Sequence, residues 1–222
     1  RENPARKRTK KLLSEGMSAK TEPFLITCLS EPDLRVRKAA QFELVRRRES
    51  GRKALLAVAR KNVNQLARLH AIWGMGQLAR GWPDGKAKGP DAVHPLLELL
   101  ADKDAEVRAQ AAKVLGESSH SPALAALIGL LKDSSLRVRF HSAIALGKLK
   151  DSKAIAPLLE LVEDNDDVDA FLRHAAVMGL VGSTKADPKV LLETISSPHS
   201  SVRLAAILAL RRHAHPEISS FL

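Results

Sequence analysis

Asn64–Leu78 has the sequence Asn-Gln-Leu-Ala-Arg-Leu-His-Ala-Ile-Trp-Gly-Met-Gly-Gln-Leu, and this stretch contains the pattern that decides the fold. It begins with a residue suited to cap a helix, and one arginine follows four positions later. Apolar and small residues recur around that arginine at helical spacing, so they fall on one side of a helix. The stretch therefore predicts an amphipathic helix with one buried stripe.

The same pattern recurs in five other places, and the arginine of each copy serves as an anchor. The six anchor arginines are Arg37, Arg68, Arg108, Arg139, Arg173 and Arg203. Their separations are 31, 40, 31, 34 and 30 residues, and a period in the low thirties is typical of repeat proteins. Three positions after each anchor stands a small residue: Ala40, Ala71, Ala111, Ser142, Ala176 and Ala206. Small residues within a buried stripe allow a neighbouring helix to approach closely.

The residues four positions before the anchors predict where these helices begin. Five of the six are types that accept a hydrogen bond from the first free amides of a helix. In chain order the six are Asp33, Asn64, Asp104, Ser135, Asp169 and His199. A second apolar segment precedes each cap, so each repeat is predicted to be a helical hairpin. Because neither helix can bury its stripe alone, we expect an all-α fold, a right-handed α-α superhelix (α-solenoid) of about six hairpins.

Two-helix repeats of this length with Asp-x-x-Val-Arg-x-x-Ala-x-x-x-Leu-Gly, found here at Asp104–Gly116, resemble HEAT repeats. This resemblance covers about residues 17–222. Three segments, Arg68–Leu78, Val138–Leu149 and Phe171–Met178, are more narrowly similar to the HEAT region of the large PVC-type membrane-bound dehydrogenases. In that family a sugar-dehydrogenase-like propeller precedes the repeats, and a c-type haem domain with a Cys-x-x-Cys-His motif follows them. The resemblance implies an extracytoplasmic scaffold, periplasmic in a bacterium, with no cofactor of its own, inside a haem-linked dehydrogenase.

The domain organisation follows from composition. Residues 1–16 are basic and polar, and we expect a linker or the end of a preceding domain, whereas residues 17–222 form the solenoid. Residues 81–90 contain three Gly and two Pro, which predicts an inserted loop and explains the 40-residue interval. The chain begins at Arg1, and its last residues resemble the opening of another repeat. We therefore expect a fragment of a longer polypeptide.

The net charge of +11 is concentrated in the N-terminal half. Residues 1–80 contain 19 Lys/Arg and 7 Asp/Glu, whereas residues 81–222 contain 17 and 18. This half should attract anionic surfaces, and Arg46, Arg47, Arg48 and Arg52 are candidate contacts for a partner. Nucleic acid is one such partner, but the absence of interleaved exposed aromatic residues favours another protein or a neighbouring domain of the same polypeptide.

The six anchor arginines admit two interpretations. They could form a binding ladder along an inner groove. The favoured alternative is a structural ladder, in which each arginine packs over cap carboxylates or carbonyl groups of a neighbouring repeat. Substitution by alanine would then reduce stability first.

Histidines and one tryptophan are the remaining candidate contacts. His70 and His141 stand two positions after their anchors, and His174 stands one position after its own. Three imidazoles on one face would suit a metal or haem, but the spacing of stacked helices favours hydrogen bonds to a neighbouring repeat or a partner. Trp82, in the inserted loop, is expected to be exposed and available to a partner.

Several functional classes find no support in the sequence. The acidic run 163–169 lacks the glycine and the terminal glutamate of an EF-hand, so a solvated, cap-donating loop is favoured over a calcium site. The single cysteine, Cys28, excludes an intrachain disulfide and a c-type haem attachment motif. Phosphate-binding loops, nucleophile elbows and His-Glu-x-x-His helices are absent, and no apolar run is long enough for membrane insertion. The sequence predicts a non-catalytic scaffold without a metal or cofactor, and the alternative is a stand-alone protein- or nucleic-acid-binding scaffold.

Overall fold

The computed structural model describes residues 3–82, 85 and 89–214, and the regular secondary structure of this part is helical, without strands. The chain divides into two compact units, Arg1–Leu99 and Leu100–Leu222. The α-helices of the described residues are α1 (Pro4–Glu15), α2 (Glu22–Cys28), α3 (Leu34–Arg46), α4 (Glu49–Lys61), α5 (Gln65–Ala79), α6 (Ala105–Glu117), α7 (Leu124–Gly129), α8 (Leu136–Leu149), α9 (Ile155–Asn165), α10 (Ala170–Ser183) and α11 (Ser200–Arg212). The predicted all-α class is confirmed.

The first helices of the later repeats contain segments that are wound more tightly than an α-helix. Segments of 3₁₀ helix replace or flank them, at Pro90–Ala101, Ser121–Ala123, Leu130–Lys132, Ser152–Ala154, Pro188–Leu191 and Glu193–Ser196. With these segments included, the six predicted hairpins are present in the described residues. Their second helices, which carry the anchor arginines, are α3, α5, α6, α8, α10 and α11.

The helix starts agree with the predicted caps, but not every cap uses its side chain. Asp33, Asn64, Asp104 and Asp169 each accept a hydrogen bond from an amide in the first turn of the helix that follows. The side chains of Ser135 and His199 make no such bond. The carboxylate or amide cap therefore operates at four of the six second helices.

The repeated small and apolar positions form the core of both units. All six small residues three positions after the anchors are at most 1% exposed. The large residues seven positions after the anchors are fully buried as well: Leu44, Met75, Leu115, Leu146, Leu180 and Leu210. The predicted buried stripe is thus confirmed in every repeat.

Glycines bring the second helices of the second unit into close contact. α8 packs against both α6 and α10. A Cβ atom placed on Gly147 in α8 would lie 2.6 Å from the carbonyl oxygen of Met178 and 2.9 Å from Cα of Gly179 in α10. Only a residue without a side chain fits this backbone contact.

Residues 4–15 form a helix that packs against α3. Asn3 caps it by accepting a 2.9 Å hydrogen bond from the amide of Ala5, and Leu12 is buried. On the surface, Arg8 pairs with Glu31 at 2.6 Å. The assignment of residues 1–16 to a linker or preceding domain stays a prediction, but this segment has ordered helical structure in contact with the first repeat.

The predicted loop at 81–90 falls partly outside the described residues, since 83, 84 and 86–88 are not among them. Gly81 and Trp82 form a turn after α5, and Pro90 already begins a 3₁₀ helix.

Candidate partner-binding surfaces

Three anchor arginines hold the turn between the two helices of their own repeat. One terminal nitrogen of each guanidinium donates to the carbonyl oxygens six and five positions earlier in the chain. The distances are 2.7 and 2.7 Å for Arg37, 2.7 and 3.3 Å for Arg108, and 2.7 and 2.9 Å for Arg203. These hydrogen bonds satisfy carbonyl groups that the turn leaves without helical partners.

Two of these arginines also reach the next repeat. Nε of Arg37 lies 3.1 Å from Nε2 of His70. Nε and Nη2 of Arg108 lie 2.8 and 2.9 Å from the two carboxylate oxygens of Asp133. The contacts between repeats that the sequence suggested are therefore present at Arg37 and Arg108.

The other three anchors differ from this arrangement. Arg68 donates to the carbonyl oxygen of Ala59 at 2.8 Å, and Arg173 pairs with Asp167, both within their own repeats. The Nε atom of Arg139 is buried and has no hydrogen-bond partner within the described part of the chain. A uniform ladder between repeats is thus corrected: the six arginines use their neighbours in different ways, because the turn residues that face them differ.

His70 belongs to a buried polar network in the first unit and is only 2% exposed. Its Nδ1 lies 2.6 Å from Oε1 of Gln41, and Gln41 Nε2 donates to Gln77 Oε1 at 2.9 Å. Burial, reinforced by the charges of Arg37 and Lys38, lowers the pKa of His70 to about 4. Of the two expected uses of His70, hydrogen bonds to a neighbouring repeat are the one observed, with both ring nitrogens bonded inside the fold, so His70 is not available to an external partner.

His141 lies in the second unit, half-buried beside Phe140 with the ring centroids 5.2 Å apart. Burial lowers its pKa to about 4, with further lowering by Arg137 and Lys113 and opposition from Glu106 and Glu117. His174 is exposed. Within the described ranges there is no group of three or more His, Cys, Asp or Glu side chains placed to hold a metal ion.

Most of the predicted basic cluster is occupied by internal contacts. Arg47 donates to Glu43 at 3.1 Å and to the carbonyl oxygens of Ser18 and Lys20 at 3.3 and 2.5 Å. Arg52 pairs with Glu49 at 2.7 Å. Arg48 is half-buried in a left-handed conformation, φ 55°, just before α4. Arg46 is the most exposed member, and it lies 3.8 Å from Glu43. The four arginines therefore do not form one open cationic patch.

The tryptophan of the predicted loop packs against the first unit. The rings of Trp82 and Phe42 lie 4.7 Å apart between centroids, and the guanidinium of Arg46 lies 5.8 Å from the Trp82 ring. Trp82 is consequently half-buried, which corrects the expectation of an exposed side chain.

Helix α1 supplies a cationic face that the sequence reasoning treated as a linker. Arg6, Lys7, Lys10 and Lys11 are exposed and recur at spacings of three and four residues. The buried Leu12 lies on the opposite side of this helix. Lys11 lies 3.8 Å from Glu15, an exposed pair of little strength. The Asn3–Pro4 pair at the start was the available signal, because a capping residue followed by proline is typical of a helix N-terminus.

The acidic run donates the expected cap, but its turn is shorter than the predicted loop 163–169. α9 continues to Asn165, so the turn contains only Asp166–Asp169, with Asp166 and Asp167 at φ 38° and 65°. Asp167 pairs with Arg173, and Asp169 caps α10. This segment is therefore a helix end and a capped turn.

Paired helices with a repeated cap, anchor and buried stripe define the class of α-helical repeat proteins. The sequence profile described as HEAT repeats matches residues 52–127 and 93–181, which together cover more than half of the chain. The chain belongs to the HEAT-repeat family.

Solved structures share this fold at low identity. One component of the phycocyanin lyase complex of CpcE and CpcF from Nostoc sp. PCC7120 is 22% identical, with a TM-score of 0.54 over 86% of this chain and 76% of that chain. Two engineered proteins from the Northeast Structural Genomics Consortium are each 18% identical. The first has a TM-score of 0.52 over 90% of this chain and 96% of that chain. The second has 0.51 over 86% and 98%. No curated protein matches the sequence.

None of the described helices is both long and apolar enough to cross a bilayer.

Proposed function

We propose that this chain is a non-catalytic helical-repeat scaffold that holds protein partners or neighbouring domains of the same polypeptide. The observation that carries the proposal is the repeat itself. Its buried polar side chains bond to other groups of the fold, and the starts of its second helices carry exposed apolar residues such as Leu34, Leu136 and Phe171. Arg37 and Gln41 each hydrogen-bond to His70, and Arg108 pairs with Asp133. Such groups stabilise a framework rather than poise an acid, a base or a nucleophile for reaction.

The finer form of the proposal places the scaffold inside a haem-linked dehydrogenase of the PVC type. Its support is the resemblance of Arg68–Leu78, Val138–Leu149 and Phe171–Met178 to the HEAT region of those proteins. In that setting the partners are a propeller domain before the repeats and a c-type haem domain after them. The chain would orient the two, and the chemistry would belong to its neighbours.

Reading the gene on both sides of the segment tests this finer form. A propeller upstream and a Cys-x-x-Cys-His motif downstream support it. Unrelated flanking domains, or a start and a stop codon immediately around the segment, overturn it. Crosslinking the intact polypeptide through lysines, followed by mass spectrometry, then tests the scaffold role. Crosslinks from Lys7, Lys10 or Lys11 of α1, or from Lys185 after α10, to a neighbouring domain or a bound protein are expected. An intact polypeptide with crosslinks only inside the repeats contradicts that role.

The alternative is a stand-alone scaffold that binds nucleic acid through its first unit. The supporting observation is the cationic face of α1, and residues 1–99 contain 21 Lys/Arg against 10 Asp/Glu. Binding through phosphates weakens steeply with salt. Fluorescence anisotropy with a 20-base-pair duplex should then show a steep salt dependence that Lys7→Glu/Lys10→Glu reduces, whereas Lys185→Glu/Lys189→Glu in the second unit leaves it unchanged. Equal effects of the two double variants contradict this alternative.

A further inference from the structure

The second unit has a groove between the first turns of α8 and α10. Leu136 begins α8 and is 47% exposed, while Phe171 near the start of α10 and Val168 in the turn before it are 78% and 89% exposed. Together with Arg139 they border a cavity of about 530 Å³. A smaller cavity of about 270 Å³ shares Leu136 and Phe171 and adds Phe140. We call this surface, bordered by Leu136, Arg139, Phe140, Val168 and Phe171, the α8–α10 groove.

Arg139 is an anchor arginine whose expected partner is occupied elsewhere. Arg108 bridges to Asp133, which stands six positions before the next anchor. The corresponding residue for Arg139 is Asp167, six positions before Arg173, but Asp167 pairs with Arg173 in its own repeat. Within the described residues Nε of Arg139 is therefore buried without a hydrogen-bond partner, and Arg139 interacts through its charge with Asp133, which is bonded to Arg108. Arg139 also lines the cavity, so its guanidinium can pair with an acceptor that enters there.

A difference in repeat length accompanies this change of partner. The first helix and the turn after it occupy residues 152–169 in this repeat and 121–135 in the preceding one, a difference of three residues. The longer turn contains two residues in left-handed conformations, Asp166 and Asp167, and carries Val168 into solvent. The added length thus coincides with the release of Arg139 and the exposed apolar border.

The N-terminus of α8 provides further donors beside Arg139. Ser135 precedes this 14-residue helix without capping it through its side chain. By contrast, Asp169 caps α10 with hydrogen bonds of 2.8 and 2.9 Å from the amides of Phe171 and Leu172. The first amides of a helix and its dipole favour an anion, and the Arg139 guanidinium, for which the described residues show no hydrogen bond, lies at the same end of the helix. A carboxylate suits both.

The other charged groups at the groove limit what can bind there. Asp169 is committed to its cap, Arg137 pairs with Glu106, and Asp164 lies near Lys132. Asp133 lies just before the start of α8, where it accepts a hydrogen bond from the amide of Ser135 and is paired with Arg108. Residues 100–222 contain 15 Lys/Arg and 15 Asp/Glu. A nucleic acid would place many phosphates against this balanced surface, whereas a protein segment needs only one carboxylate beside apolar contacts.

Building on the proposed scaffold role, we propose that the α8–α10 groove binds a protein segment in which an Asp or Glu side chain adjoins a large apolar residue. The carboxylate accepts hydrogen bonds from the Arg139 guanidinium and the first amides of α8. The apolar side chain packs on Phe171, Leu136 and Phe140. Charge-assisted hydrogen bonds to the guanidinium supply orientation, and the apolar contact supplies much of the affinity.

Three pools of fluorescein-labelled nonapeptides, titrated with the full chain, test this proposal by fluorescence anisotropy. The first pool mixes Asp and Glu with Leu and Phe, the second replaces the acids by Lys, and the third replaces the apolar residues by Ser and Asn. Binding of the first pool alone is expected. Arg139→Gln and Phe171→Ser should each weaken it about tenfold, which corresponds to one charge-assisted contact or one apolar contact. Leu34→Ser, at the 51% exposed start of α3 in the first unit, should leave it unchanged.

Urea unfolding of the same variants separates binding from stability. Arg139→Gln should unfold close to the urea concentration of the parent chain, because it loses only the charge interaction with Asp133 and no side-chain hydrogen bond seen in the described residues, whereas Arg108→Gln should unfold earlier. The proposal is overturned if the second or third pool binds as well as the first. It is also overturned if Arg139→Gln leaves binding intact, or if this variant unfolds as early as Arg108→Gln. If the chain binds no pool but crosslinks to a neighbouring domain through another surface, the groove proposal fails and the proposed scaffold function stands.

Discussion

Arg37 donates from Nε to Nε2 of His70 at 3.1 Å, and this bond fixes the imidazole as the neutral tautomer with its hydrogen on Nδ1. That hydrogen is then directed at Oε1 of Gln41, 2.6 Å from Nδ1. Protonation of the ring would place a second positive charge against Arg37 in a buried site. The contact between the first two repeats therefore depends on an uncharged histidine.

This arrangement predicts a loss of stability in mild acid. The pKa of His70 falls from 6.5 to about 4 on folding, so below pH 6.5 the unfolded chain binds a proton that the folded chain excludes. Stability present at neutral pH is lost as the pH falls from about 6.5 towards 4, by up to about 3 kcal/mol for this residue. Urea unfolding at pH 7.5 and pH 5 measures it. His70→Gln should reduce the pH dependence, and a residual part is expected because the pKa of His141 is lowered in the same direction. The exposed His174→Gln should change nothing, and an unaltered pH dependence in His70→Gln would contradict the assignment.

The pair of Arg108 and Asp133 predicts a large effect of a single substitution. Their side chains are 15% and 8% exposed, and Arg108 also holds the carbonyl oxygen of Asp102. Arg108→Gln leaves the carboxylate and that carbonyl group without their donor, so the free energy of unfolding should fall by about 3 kcal/mol. Arg137→Gln, which breaks the exposed pair with Glu106, should cost about 1 kcal/mol or less. Equal costs for the two variants would be inconsistent with a bridge between repeats.

The backbone contact at Gly147 predicts that one methyl group is harmful. A Cβ there meets backbone atoms of Met178 and Gly179 at less than 3 Å, so α8 and α10 must separate. Gly147→Ala should lower the free energy of unfolding by about 1–3 kcal/mol. Gly129→Ala is the matched control, because a Cβ at Gly129 meets nothing within 4 Å and alanine favours helix. A thermal melt that falls equally for both variants would refute the packing argument.

The attachment of α1 is tested at Leu12, which is 6% exposed. Leu12→Ala should destabilise the chain by about 2 kcal/mol or more, because it removes a buried side chain between α1 and the first repeat. Lys10→Ala on the outward face should have little effect. If Leu12→Ala is also neutral in thermal unfolding, residues 1–16 act as a linker in spite of their helical structure.

The repeat and its core were predictable because they depend on local periodicity. The cap, the small residue and the large residue recur at fixed distances from each anchor, and helical geometry alone places them together. The partners of the anchor arginines were less predictable, because more than one arginine can reach the same turn carboxylate. Asp133 faces Arg108, while Asp167 turns to Arg173 and leaves Arg139 without it. No local pattern encodes that difference.

Contacts distant in sequence account for the other differences. Trp82 is half-buried because Phe42, forty positions earlier, offers a ring to pack on. His70 is buried because Gln41 and Arg37 of the preceding repeat converge on both of its nitrogens. The sequence did not predict helix α1, because residues 1–16 are mostly basic and polar and contribute only one buried leucine, Leu12.

The 3₁₀ segments in the first helices have a consequence for the motions of the chain. Hydrogen bonds of a 3₁₀ helix are less well aligned than those of an α-helix, so the amides of Pro90–Ala101 and Glu193–Ser196 should exchange with deuterium before those of α8 and α10. Opening would then begin in the first helix of a repeat and spare the second. A ligand held by the second helices can remain bound through such local fluctuations.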